Sequence, residues 1–246
     1  MLHIIYIWIA NSNKNKGAYL LLIYNTDCFE LIKTIKTNTI DMILTDPPYG
    51  MSYVSGGRKE KHDKIANDDN LDWLDNFIKE CFRVLKDNTA SYFFCSYHNI
   101  DIFKRAIEKH FNVKDILVWE KNNSGMGDLT GCFAPKVEFI IFVHKGRKNI
   151  IGKRTDNIFK FKKTDNAMHP TQKPTDLCEH MIKKFSDDGD IIFDPFMGSG
   201  TTGVSAIQSG RDFIGCEIDD KYFKIANERI KKAVLKSKQI NVNDLF

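Results

Sequence analysis

The run Asp194-Pro195-Phe196-Met197-Gly198-Ser199-Gly200-Thr201-Thr202 constrains this chain more than any other string in it. An apolar strand-like stretch at 191–193 precedes it, and a helical pattern opens near Thr201. Glycines at such a turn let the backbone come close to a ligand, and the helix start offers unpaired N–H groups. Gly198, Gly200 and Gly203 spell G-x-G-x-x-G, and Glu217 ends the next apolar run, 17 residues past Gly200. An acid at that place can hold both hydroxyls of a ribose, so the turn implies a ligand carrying a nucleoside.

The rest of the chain repeats the same alternation. Strands are expected at 18–24, 40–45, 91–96, 113–119, 137–144, 191–193 and 212–217. Helices are expected at 28–36, 71–85, 100–110, 175–185, from 201, and at 222–236. In the second helix Leu71, Leu74, Phe77, Ile78, Cys81, Phe82 and Leu85 follow i, i+3, i+4, i+7 spacing, with Asp69 or Asn70 as its cap. Strand–helix alternation of this kind argues for a mainly parallel sheet with helices on both faces. A dinucleotide fold needs a second nucleotide-binding half, yet 29 residues follow Glu217, so the NAD reading fails on topology unless the chain is permuted.

Composition narrows the class. The 246 residues carry 42% hydrophobic and 28% charged side chains, an ordinary globular balance, with net charge +4. That excludes a histone-like polycation but hides how charge is distributed. No two of the six cysteines lie in a C-x-x-C pair, which argues against a zinc knuckle and a disulfide framework, and free thiols in a reducing cytoplasm are expected. Residues 2–10 are apolar but lack a basic flank and a small-residue cleavage site, and are too short to span a bilayer. Residues 1–18 are read as an N-terminal apolar extension, an extra strand or an arm packed on the body, and 19–246 as one domain. A soluble protein is expected.

Thr45-Asp46-Pro47-Pro48-Tyr49-Gly50 follows the second strand, and two adjacent prolines continue neither a central strand nor a helix. The string suits work on the exocyclic amine of a base. The lone pair of that amine is delocalised into the ring, and two acceptors on its hydrogens draw the nitrogen toward tetrahedral geometry. The Asp46 carboxylate supplies one acceptor. The Pro47 carbonyl supplies the other, since proline loses only its N–H. Pro47 and Pro48 fix φ and stiffen the presentation. Tyr49 offers a ring on which an extruded base stacks, an interaction worth about 1–3 kcal/mol per base.

With both strings in place the chain resembles the amino-methyltransferases of DNA, which transfer the methyl of S-adenosyl-L-methionine to adenine N6 or cytosine N4. Asp46, Pro47, Pro48 and Tyr49 match the family's catalytic motif. Asp194, Phe196, Gly198 and Gly200 match its cofactor motif. The catalytic motif comes first, an order that resembles the β group. The resemblance spans roughly residues 19–235. It implies an α/β methyltransferase (Rossmann-like) mixed sheet of about seven strands, one of them antiparallel. It further implies that Asp27 contacts the cofactor adenine, that Glu217 holds its ribose, and that Ser199 and Thr201 meet the methionine carboxylate. His169-Pro170-Thr171-Gln172-Lys173-Pro174 resembles the motif before the helix lining the methionine end, which adds Lys173 to the cofactor set.

A double-stranded DNA partner is read from charge. Lys145, Arg147, Lys148, Lys153, Arg154, Lys160, Lys162 and Lys163 face one acid, Asp156, so residues 145–163 carry +7 and the remainder −3. This short recognition segment, near 145–168, has Phe159 and Phe161 interleaved, placed to wedge or stack at an opened base step. Arg58, Lys59 and Lys61 follow the catalytic tyrosine, in a loop expected to close over the flipped base. The scattered histidines show no metal-ligand spacing, and His98, His110 and His144 read as capping or surface groups. The aspartate-first motif favours adenine N6. Cytosine N4 stays open, as do an RNA or protein side-chain amide substrate and a binding module with a dead cofactor site. The family includes dimers, and a homodimer and a restriction endonuclease partner both stay open.

Overall fold

The computed structural model describes residues 3–9, 19–49, 70–125, 129–163 and 172–243. They form a nine-stranded sheet of order β1-β2-β9-β8-β3-β4-β6-β5-β7. The strands are β1 His3–Ile9, β2 Tyr19–Asn25, β3 Met42–Thr45, β4 Thr89–Cys95, β5 Asn112–Glu120, β6 Val137–Lys145, β7 Ile158–Lys160, β8 Ile191–Asp194 and β9 Asp212–Glu217. The helices are α1 Cys28–Thr34, α2 Leu74–Val84, α3 Ile100–Glu108, α4 Thr175–Phe185, α5 Thr201–Gln208 and α6 Asp220–Asn243.

The central strands are continuous apolar runs because both faces are covered. Every residue of β3 and β4 is buried. Their side chains alternate between two cores. Met42, Leu44, Ala90, Tyr92 and Phe94 face the core shared with α4, α5 and α6. Ile43, Phe93 and Cys95 face the core shared with α1, α2 and α3. The helices segregate for a topological reason. Crossovers β2–β3, β3–β4 and β4–β5 progress in one direction across the sheet, whereas β7–β8 and β8–β9 progress in the other. Right-handed crossovers in opposite directions place their helices on opposite faces. The reversal falls between the neighbours β3 and β8, and a crevice opens beyond their carboxyl ends, where ligands bind in open α/β sheets.

Several sequence expectations need correction. The sheet has nine strands rather than seven, and both β1 and β6 run against the rest. The inner seven, β2 to β5 in sheet order, do contain one antiparallel strand, β6; β1 and β7 extend the two edges. Residues 3–9 pair along their whole length with β2. α2 begins at Leu74 with no side-chain cap. Asn70 instead accepts the Asp72 N–H at 3.2 Å in a local turn, and its carbonyl accepts the Trp73 indole N–H at 3.1 Å. His144 is buried, edge-on to Phe142 and Phe185, and burial pushes its imidazole down to about 4. Cys28, Cys81, Cys95, Cys178 and Cys216 are buried free thiols, and Cys132 is exposed. No described helix is long and apolar enough to cross a membrane.

Candidate active site

Asp46 leaves the end of β3 and Asp194 ends β8, the two strands being paired through Met42–Ile192 and Ile43–Phe193. The buried Thr45 hydroxyl donates to Asp194 Oδ1 at 2.8 Å, and the same oxygen accepts the Phe196 N–H at 3.1 Å. One buried carboxylate thus ties the residue before Asp46 to the glycine turn. Burial pushes the Asp194 carboxyl up to about 7, against the hydrogen bonds of Thr202, Thr45 and Phe196.

The glycine turn takes its shape from α6. Gly200 is the N-cap of α5 at φ +80°, and a Cβ there would lie 2.9 Å from Ala226 Cβ. Only glycine combines that backbone with that approach. No side chain caps the first turn of α5. Glu217 accepts the Gly198 N–H on Oε2 at 3.0 Å and the Asp219 N–H on Oε1 at 2.9 Å. Burial raises its carboxyl above the usual range, and those N–H groups draw it back. Asp27 caps α1 by accepting the Phe29 N–H at 2.8 Å. It sits beside Glu217, since Thr26 N–H donates to the Glu217 carbonyl at 3.1 Å. Phe196 packs against Trp73 and Phe77 at ring separations of 5.8 and 5.2 Å. Ser199 and Thr201 are buried, and both hydroxyls accept from Arg229 Nη1, at 2.8 and 3.2 Å. Sequence reasoning missed Arg229, because a lone arginine in a charged helix carries no signal of its own.

The Asp46 side has a different character. Tyr49 OH donates to Asp46 Oδ1, and Lys173 Nζ lies 2.6 Å from Oδ2. Lys173 also lies 3.0 Å from Glu138 Oε2, and Lys121 lies 3.3 Å from Glu138 Oε1. The Lys173 side chain is only 10% exposed and passes over the Phe94 ring at 4.9 Å. Burial raises the Asp46 carboxyl, an effect that Lys173 and Tyr49 oppose. Burial acts to lower Lys173, but Asp46 and Glu138 reverse this and raise it. Glu138 is raised by burial and drawn below its usual value by Lys173 and Lys121. Pro47 is buried and Pro48 half-buried. Tyr49 lies edge-on to Phe103 at 6.3 Å, and its carbonyl accepts from the Asn99 amide. Lys173, expected in the cofactor set, therefore lies against Asp46. Glu138 falls within the strand expected at 137–144, and nothing in its spacing marks it as that lysine's partner.

The basic segment divides. Lys153, Arg154, Lys160 and Lys162 are exposed. Lys148 pairs with Asp187 at 2.9 Å, and Lys160 lies 3.6 Å from Glu120. Lys145 is drawn in, donating to the Leu85 and Phe82 carbonyls at the end of α2 at 2.7 and 3.1 Å. The wedge expectation is corrected. Phe159 is buried on β7, 5.1 Å from the His180 ring, and Phe161 packs half-buried on the same core. Alternation in Ile158-Phe159-Lys160-Phe161 was the available strand signal. Arg58, Lys59, Lys61 and the 55–62 loop lie outside the described residues, as do 164–171. Among the described residues no His, Cys, Asp and Glu cluster suits a metal.

Comparison with known proteins agrees with this geometry. A family model described as "DNA methylase" (N6/N4 type) matches residues 40–228. The putative methylase YubD of Escherichia coli K12 is 32% identical over 219 residues, covering 89% of this chain and 93% of that protein. The DNA adenine methyltransferase YhdJ of the same strain is 31% identical over 249 residues, covering 86% and 83%. Among solved structures, the M1.HpyAVI–SAM complex superposes with TM-score 0.67 at 29% identity, covering 85% of this chain and 98% of that one.

Proposed function

Since the chain belongs to the N6/N4 DNA methylase family, we propose that it is an S-adenosyl-L-methionine-dependent enzyme that methylates adenine N6 in double-stranded DNA. The observation that carries this is Asp46, an aspartate whose carboxylate opens from β3 beside the glycine turn that ends β8. A duplex hides the amine in its stack, so the base enters the crevice extruded.

The residues beyond β8 and β9 fit the cofactor. An uncapped first turn on α5, buried Ser199 and Thr201, and carboxylates at the adjacent ends of β9 and β2 form a donor and acceptor set for an amino acid joined to a nucleoside. In this reading Glu217 holds the ribose, Asp27 the adenine, Phe196 the ring face, and Asp194, Gly198 and Gly200 shape the turn. Ser199 and Thr201 meet the carboxylate. When bound, the cofactor supplies a methyl group made electrophilic by its sulfonium.

The protein's part is placement. Asp46 accepts one hydrogen of the target amine and the Pro47 carbonyl the other, which frees the nitrogen lone pair. Tyr49 stacks on the base. A carboxylate is too weak a base to deprotonate a neutral amine, so Asp46 orients, and the proton leaves after the nitrogen has acquired its methyl. Exposed Lys153, Arg154, Lys160 and Lys162 take phosphates, and Lys148, Arg58, Lys59 and Lys61 belong to the same proposal. Asp46→Ala is expected to abolish methylation while cofactor still binds; residual activity within tenfold of wild type refutes the role. Nucleoside analysis of treated DNA separates N6-methyladenine from N4-methylcytosine.

A further inference from the structure

The Asp46 carboxylate has two oxygens, and both are taken. Tyr49 OH holds Oδ1 and Lys173 holds Oδ2. The two holders differ in kind. The tyrosine belongs to the same short loop as Asp46 and gives a single hydroxyl hydrogen bond. The lysine is buried, charged, and anchored from its far side by Glu138 on β6, which Lys121 holds in turn. A target amine needs one oxygen of Asp46, and the weaker partner is the one it displaces.

Resting on the reading above, we propose that Lys173 is a positioning residue that works through Asp46. It fixes Oδ2 and keeps the carboxylate charged, reserving Oδ1 for the amine of the target base, with Glu138 holding the lysine in register. Asp46 and Glu138 both lie within 3.0 Å of one ammonium. Without that cation they form a like-charged pair in a partly buried crevice, and such a pair holds a proton more readily. A protonated Asp46 has lost an acceptor and cannot draw on the amine.

The other groups acting on Asp46 are accounted for. Cys95 on β4 and Cys178 on α4 are pushed up to about 12 by burial, and burial raises Tyr49 well above its usual value, so all three stay neutral near pH 7. Asp194 on β8, raised to about 7 by burial, titrates within the working range. It is common to every variant below, so the informative quantity is the displacement between variants.

The test measures single-turnover methylation of amplified, unmethylated genomic DNA with tritiated cofactor between pH 5.5 and 9. Cofactor affinity is measured by calorimetry alongside. Lys173→Met is expected to move the acidic limb of the rate up by one pH unit or more, with at least a tenfold loss at pH 6.5 that narrows above pH 8.5. Cofactor affinity should stay within threefold. Glu138→Gln removes the competing carboxylate and should move the limb down, and Lys173→Arg should leave it in place at a reduced rate. A limb that stays put in both Lys173→Met and Glu138→Gln overturns the proposal. So does a tenfold loss of cofactor affinity in Lys173→Met with the limb unmoved, which makes the lysine a cofactor contact. Should Lys173→Met fail to fold, Lys173→Gln takes its place, and the same upward move of the limb is required of it. Absence of methylation by the wild-type protein is failure of the functional reading itself.

Discussion

The two ends of the crevice hold their carboxylates in opposite ways. At the glycine turn, Glu217 and Asp27 are tied to backbone N–H groups that the chain places as it folds, and Asp194 to one such group together with the buried Thr45 hydroxyl. At the end of β3, Asp46 is tied to two side chains, Tyr49 and Lys173. Backbone partners do not move when a ligand arrives, whereas side-chain partners can exchange. The difference assigns a preformed seat to the cofactor and an adjustable one to the base.

Substitutions can break that contrast, and the largest effect is expected at the rigid end. Gly200→Val meets both a left-handed backbone and Ala226. A cost of about 3 kcal/mol follows, lowering the melting temperature by roughly 6–12 °C for a chain of this size. Calorimetry checks it, and a drop under 2 °C removes the claim that the turn is preformed. Next, Glu217→Ala strands two backbone donors, against one for Asp27→Ala, whose loss as a helix cap costs about 1 kcal/mol. Glu217→Ala should therefore weaken cofactor binding and lower stability more than Asp27→Ala in the same titration and melt.

Asp194 gives a pH test of intermediate size. Its native carboxyl is raised from 3.8 to about 7, so its contribution to stability is complete below the unfolded value and lost as pH climbs through the native one. Asp194→Asn has no proton to lose. Its melting temperature relative to wild type should rise from pH 5 to about pH 7 and level off above it; a constant difference contradicts burial as the cause. The smallest effect is expected at the adjustable end. Tyr49→Phe keeps the stacking ring and removes the hydroxyl from Asp46, so DNA affinity by fluorescence anisotropy should stay within about twofold or improve. A tenfold loss makes the hydroxyl a contact of the base-bound state.

What the sequence made legible follows the same division. The glycine turn, the Asp46 string and the alternating elements were readable because each is local. Gly200 announces a backbone conformation, and Asp46 is marked by the prolines beside it. The partners that complete the site come from far along the chain. Lys173 and Glu138 meet Asp46 only after β6 is inserted between β4 and β5, an arrangement no periodicity encodes. Arg229 reaches Ser199 across 30 residues and one helix packing. The basic segment misled in its aromatic positions because charge is visible in composition while burial is not. Phe159 alternates with Lys160 as a strand should, and three residues are too few to stand out against eight cations.

The pairing of β1 with β2 carries one last consequence. All seven residues of β1 cover a strand that reads Tyr19-Leu20-Leu21-Leu22-Ile23-Tyr24-Asn25. Uncovered, that strand would present a long row of unsatisfied backbone groups flanked by apolar side chains, the template on which chains stack into aggregates. The opposite border ends in β7, three residues long with a lysine at its tip, a border that offers little to a foreign strand. Pairing thus moves this border from β2 to β1, itself seven residues long and apolar in sequence, while the other margin is guarded by brevity and charge.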